Sequence, residues 1–213
     1  MRLFAKSVLA IVALAITAAT TAHATTIIDF SSGTYNPPSP TTGETFTSYT
    51  QNGYLINTDS GWVYNAGRGD LAPGISAGTT FSGSSGTSDS FTLQCTVACA
   101  SGFVIDSFDL GTFGNSETVT VLYDLVGGGT TSYTTPTENN GTSSSEVFTL
   151  INLPTEDVTS AKFTIQDATS GDTFRNANFD TITITPAPEP SSLLLLGTGL
   201  IGLGAIARRR FAL

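Results

Sequence analysis

Histidine is almost absent from this sequence: its single copy, His23, lies in the N-terminal stretch read below as a removable leader. The remainder therefore has no imidazole, which excludes Ser-His-Asp and Cys-His nucleophile systems, histidine general bases and histidine-ligated zinc. Basic residues are scarce as well. Between Thr25 and Ala187 only Arg68, Lys162 and Arg175 stand against 16 carboxylates, a formal charge of −13. Such a segment repels nucleic acid and anionic lipid surfaces, so no nucleic-acid partner is expected. Apolar stripes at helical spacing are missing before the C-terminal tail. Phosphate-cradling G-x-x-x-x-G-K turns and dinucleotide-binding G-x-G-x-x-G turns in a βαβ setting are missing too.

Cysteine occurs twice, as Cys95 and Cys99, with only Thr96, Val97 and Ala98 between them. The spacing is not C-x-x-C and no further ligand accompanies the pair, so a disulfide formed after export is expected rather than a metal or redox site. A loop this small constrains little of the unfolded chain and predicts a local staple at a strand end.

Hydrophobic runs are confined to the two ends. Arg2 and Lys6 precede an uncharged apolar stretch from Ser7 to Ala19, and Ala22-His23-Ala24 places small residues at the positions a signal peptidase inspects. This predicts a signal peptide over 1–24, cut after Ala24, with Sec-type export machinery and signal peptidase as partners. At the other end Pro188-Glu189-Pro190 is followed by an uncharged run from Ser191 to Ala207 and then by Arg208, Arg209 and Arg210. As a helix that run covers roughly 25 Å, just enough to cross the hydrocarbon of a bilayer. The three arginines after it would stay on the cytoplasmic side.

Proline-bracketed glutamate, short apolar helix and terminal arginine cluster together resemble the PEP-CTERM sorting signal of Gram-negative bacteria. The resemblance implies processing by an exosortase near Pro188-Glu189-Pro190. It also implies anchoring in the inner membrane with the domain on the periplasmic side, and delivery to the outer envelope or extracellular matrix. Residues 186–213 are therefore read as the sorting region, and Thr185-Pro186-Ala187-Pro188 as a stiff spacer ahead of its motif.

Residues 25–185 read as one domain of short antiparallel strands. Thr26 to Phe30, Tyr54 to Thr58, Ser90 to Cys95, Phe103 to Leu110, Thr118 to Leu125, Glu146 to Asn152, Val158 to Gln166 and Phe179 to Thr185 are rich in Val, Ile, Thr, Phe and Tyr. Several alternate with period two, as in Thr118-Val119-Thr120-Val121-Leu122-Tyr123. Turn formers such as Gly127-Gly128-Gly129 separate them, and Gly33 to Gly43, with three prolines, reads as a surface loop. Eight or more such strands predict an all-β, two-sheet antiparallel sandwich of jelly-roll kind.

Three segments resemble a β-sandwich region common in PEP-CTERM proteins, itself similar to galactose-binding-like carbohydrate-binding modules. They are Tyr49 to Tyr54, Phe103 to Leu110 and Phe179 to Ile184. The chain departs from that pattern at Gln51, where a glutamate is usual, and at Asp180-Thr181, where Asp-Asn is usual.

A non-catalytic carbohydrate or exopolysaccharide binder is the function these features favour. Trp62, Tyr64 and Tyr54 are the candidate aromatic faces for a sugar ring, with Asn57, Asp59 and Asn65 nearby for hydroxyl groups. Their even spacing would put them on one side of a continuous strand, which is equally the pattern of a core face. Asp29 and Asp180 are candidate ligands for a structural calcium, if the first and last strands pair as the resemblance suggests; no other cofactor is implied. The competing class is a passive structural or surface-coat protein. A glycoside hydrolase ranks third, its acids to be sought among Glu44, Glu117, Glu138, Glu146 and Glu156.

Overall fold

The computed structural model describes residues 24–38, 45–59, 62–65, 74–76, 89–96, 101–112, 116–138, 147–167 and 178–187, together with 197, 199–202 and 204 of the tail. Residues 25–187 form one compact unit, and residues 1–24 with 188–213 form another. In the second unit the described residues of the tail, Gly197, Gly199, Leu200, Ile201, Gly202 and Gly204, are helical. Among the described residues no helix is long and apolar enough to cross a membrane. Most of the expected span 191–207, the arginine cluster and the expected signal peptide, Ala22 included, lie outside the described residues.

Every run read from the sequence as a strand is one. β1 (Thr26–Ile28), β4 (Tyr54–Thr58), β7 (Asp89–Cys95), β8 (Phe103–Thr112), β9 (Glu117–Leu125), β11 (Val147–Asn152), β12 (Val158–Asp167) and β13 (Asn178–Pro186) fall where the alternation put them. Five further short strands complete the unit: β2 (Thr34–Asn36), β3 (Ser48–Gln51), β5 (Val63–Asn65), β6 (Gly74–Ser76) and β10 (Thr130–Thr134). β2 corrects the expected loop from Gly33 to Gly43. Thr34, Tyr35 and Asn36 pair with Thr50, Tyr49 and Ser48, and buried Tyr35 packs against Tyr49 with ring centroids 4.4 Å apart.

All pairing is antiparallel, and the strands form one continuous curled sheet rather than the two separate sheets expected. Its first half runs β2-β3-β4-β7-β12-β9-β10. Its second half places β13 beside β8, with β11 on the far edge of β8 and β1 and β6 along the other edge of β13. The halves meet through a single pair, Val158 with Phe103. A register shift between Val158 and Ser160 lets β12 leave β9 there. An irregularity of this kind bends a strand, so the sheet folds over on itself without closing into two free layers.

Between the halves lies an aromatic core. Phe91 and Phe163, cross-strand partners on β7 and β12, stack at 4.6 Å. Phe108 and Phe179, on β8 and β13, stack at 5.2 Å. Edge-on contacts join the two pairs: Phe108 meets Phe163 at 5.5 Å and Phe91 meets Phe179 at 5.1 Å. All four are buried, and burying each such ring contributes about 1.5–3 kcal/mol, which makes this cluster the main tie between the halves.

Candidate functional site

Trp62 joins that core and does not form a platform. Its side chain has 0 % exposure, its ring meets Phe91 edge-on at 5.1 Å and lies 5.9 Å from Phe179. Its Nε1 donates to Asp59 Oδ1 at 2.9 Å, and Asp59 Oδ2 accepts from the backbone N–H and the hydroxyl of Ser90 at 2.7 and 2.8 Å. Asp59, expected to meet sugar hydroxyls, instead ties the β4–β5 connection to β7. Tyr54 is also buried, edge-on to Phe103 at 5.3 Å, and burial pushes its phenol pKa up. A ring with no accessible face cannot stack on a sugar, so the expected stacking surface is not built by Trp62 and Tyr54. The supposed continuous strand is interrupted between β4 and β5. Tyr64 lies within β5, its backbone paired with Ile75, and its side chain is outside the described residues.

Asp29 and Asp180 do come together. β1 pairs with β13 from Thr26 opposite Ile184 to Ile28 opposite Ile182, which brings Asp29 to the stretch of β13 that holds Asp180. β13 is irregular there: its register with β8 shifts between Asp180 and Thr183, and Thr181 has φ 42°. A third carboxylate, Asp109, is the direct cross-strand partner of Asp180. Burial pushes the Asp180 carboxyl above the ordinary range and the charges of Asp109 and Asp29 add to this. The hydrogen bond from the Thr181 N–H at 2.7 Å acts the other way. Asp109 is likewise raised by burial.

Asp29 behaves differently because Gln51 serves it. Gln51 Nε2 donates to Asp29 Oδ1 at 2.6 Å and to Ser32 Oγ at 3.0 Å. Its Oε1 accepts from the N–H groups of Asp29 and Phe30 and from the Tyr49 hydroxyl at 2.8 Å. The bond from Gln51 Nε2, helped by the N–H of Ser31, holds the Asp29 carboxyl below its usual value. Gln51 thus occupies, with a neutral amide, the place between Asp29 and the N-terminal loop. Among the described residues no group of three or more His, Cys, Asp or Glu side chains is arranged to hold a metal ion. The sequence marked Gln51 only as a departure from a resembling pattern, and Asp109 not at all. Asp109 becomes visible only through the β8–β13 register.

Of the candidate acids for hydrolysis, Glu117 has 0 % exposure, and its backbone bridges that of Glu138. A carboxyl without accessible surface cannot reach a glycosidic bond. Glu156 sits partly buried before β12, while Glu44 and Glu146 lie outside the described residues. Cys95 ends β7 and is not a free thiol; Cys99 lies outside the described residues.

The outer face of the first half is polar and in register. One row runs Ser48, Asn57, Thr92, Lys162, Leu122, Ser132 across β3, β4, β7, β12, β9 and β10. The next runs Thr50, Leu55, Gln94, Ser160, Asp124, Thr130 across the same strands. All twelve are exposed or half-buried, because alternation sends their neighbours Tyr49, Ile56, Leu93, Ala161 and Val121 into the core.

Among solved structures the chain is similar to an arabinose-bound α-L-arabinofuranosidase of the GH51 type, at 16% identity and TM-score 0.37. That likeness covers 68% of this chain, which spans only 25% of the enzyme. It is similar to a mutant of the family 29 carbohydrate-binding module CBM29-2, at 12% identity and TM-score 0.39, covering 76% of this chain and 91% of that one. It is also similar to a CBM61 module in complex with β-1,4-galactotriose, at 12% identity and TM-score 0.33, covering 63% and 87%. No curated protein matches the sequence. Residues 186–210, from the final residue of β13 to the last arginine of the tail, are a PEP-CTERM protein-sorting motif.

Proposed function

We propose that this chain is an exported, non-catalytic protein of the outer envelope or extracellular matrix. In this reading an exosortase processes it near Pro188-Glu189-Pro190, and its β-domain holds polysaccharide without cleaving it. The sorting motif over 186–210 carries this reading, because it begins where β13 ends and so follows the folded unit directly. Within it, Pro188, Glu189 and Pro190 are the recognition element, Ser191 to Ala207 the transient inner-membrane helix and Arg208 to Arg210 the stop. Residues 1–24 act as the signal peptide, and Cys95 and Cys99 close a disulfide once in an oxidising compartment. The absence of imidazole beyond His23 and the burial of Glu117 favour binding over hydrolysis.

The test is the mass and location of the protein in a bacterial host with and without its exosortase. Release of a form ending near residue 188, lost without the exosortase and in Glu189→Ala, is the expected result. A cell-associated protein that keeps its full tail in both hosts would make residues 186–213 a plain anchor.

A further inference from the structure

We infer that the outer face of β3, β4, β7, β12, β9 and β10 is the surface that binds a neutral polysaccharide chain, a placement that rests on the polysaccharide reading above. Two in-register rows supply it, centred on Asn57, Thr92 and Lys162 in one and on Gln94, Ser160 and Asp124 in the other. Hydroxyls and amides, each able to donate and accept, recur along both rows. Strands lie about 4.8 Å apart, so six of them span roughly 24 Å, the length of several sugar units.

Charge selects the ligand. The domain holds a formal −13, yet Lys162 and Asp124 are the only charged side chains in these two rows, and they cancel. Asp106 and Asp109 lie on β8, Asp180 on β13 and Asp29 just past β1, while Asp89, Glu117 and Asp167 stand at the ends of β7, β9 and β12, outside the two rows. A neutral, hydrogen-bonding window in an acidic domain suits an uncharged glycan and repels a polyanion. A second copy of the chain fits it poorly. Two domains of −13 repel, and Leu55 and Leu122 are the only apolar side chains in these rows, far short of the apolar centre a stable dimer buries. Without an exposed aromatic in its two rows the face binds each sugar weakly and gains affinity along a polymer.

The experiment is native affinity electrophoresis of the full chain in neutral detergent, through gels containing dextran, β-1,4-galactan, hydroxyethylcellulose or alginate. Retardation in at least one neutral gel and free migration in alginate is the expected result. The double variant Asn57→Ala/Gln94→Ala should bind about tenfold more weakly, the effect of losing two hydrogen-bonding amides. Lys162→Ala should weaken binding in the same gel, and Thr183→Ala, on the other half of the sheet, should leave it unchanged. Thermal melts of each variant separate lost binding from lost folding. If the wild-type chain is retarded and both face variants match it, the face is wrong while polysaccharide binding stands. Free migration of the wild type in every neutral gel overturns both. Retardation in alginate alone, or a face-dependent dimer in sedimentation, also overturns this assignment.

Discussion

Asp180 stands directly opposite Asp109 across the β13–β8 pair, at the point where the register of β13 slips. Burial raises both carboxyls above their ordinary value of 3.8, and for Asp180 the charges of Asp109 and Asp29 add to it. A carboxyl whose folded pKa is raised binds more protons in the folded state than in the unfolded chain. Its contribution is therefore fully present below the unfolded value and is lost as pH rises through the folded one. Asp29, which Gln51 holds low, contributes with the opposite sign: present above the unfolded value and lost as pH falls.

The first prediction isolates that pair. Asp180→Asn keeps an acceptor for the Thr181 N–H and removes the repulsion with Asp109 and Asp29. Its melting temperature should exceed that of the wild type at pH 7, and the difference should shrink as pH falls below the ordinary value of 3.8, where the wild-type pair is protonated. Melting curves of both proteins across that range check it; a variant less stable than wild type at pH 7 would mean that the carboxylate is needed there.

The second concerns Gln51. In Gln51→Glu the acceptor bonds to the N–H groups of Asp29 and Phe30 can persist, but the donor to Asp29 Oδ1 is replaced by a like charge. A lost hydrogen bond to a charged group costs about 1.5–3 kcal/mol before repulsion is counted. The variant should melt well below wild type in chelator, and calcium should recover part of the loss by bridging the introduced carboxylate to that of Asp29 in place of the amide. Scanning calorimetry with chelator and with calcium reads both effects.

The strands were legible wherever side chains alternate strictly, as in Thr118 to Tyr123 and Lys162 to Gln166, because burial on one face leaves a period of two in the residues themselves. β2, β3, β5, β6 and β10 were not, since these short runs carry too few apolar residues to show a period and their formation depends on a partner strand. Tyr54 and Trp62 exposed a different limit. An even spacing locates a face but does not say whether the face is core or surface, and here burial took both rings. The polar rows of the first half were present in the sequence as ordinary Thr, Ser, Asn and Gln. Only the register aligns Asn57, Thr92, Lys162 and Leu122 into one line.

A third prediction addresses Cys95. A bridge to Cys99 closes a loop of about five residues, which in the chain-entropy account stabilises by about 2 kcal/mol. Reductant should lower the melting temperature by a few degrees without unfolding the domain at room temperature, and thiol titration of the oxidised protein under denaturant should find no free cysteine. Two titratable thiols would sink the bridge.

The fourth prediction separates the core role of Trp62 from any contact with sugar. Trp62→Ala removes a fully buried ring that touches Phe91 and Phe179 and strips Asp59 of a donor, so a cost of about 3–5 kcal/mol is expected. Loss of polysaccharide binding in that variant would report unfolding as readily as a lost contact. Trp62→Phe is the informative change, because it keeps a ring against Phe91 and gives up only volume and the indole N–H. It should melt below wild type, since Asp59 Oδ1 is left without its donor, yet migrate in polysaccharide gels as the wild type does. If instead Trp62→Phe folds normally and loses retardation, the ring must reach the ligand through a rearrangement of the β4–β5 connection, and the binding surface moves from the outer face to the core edge.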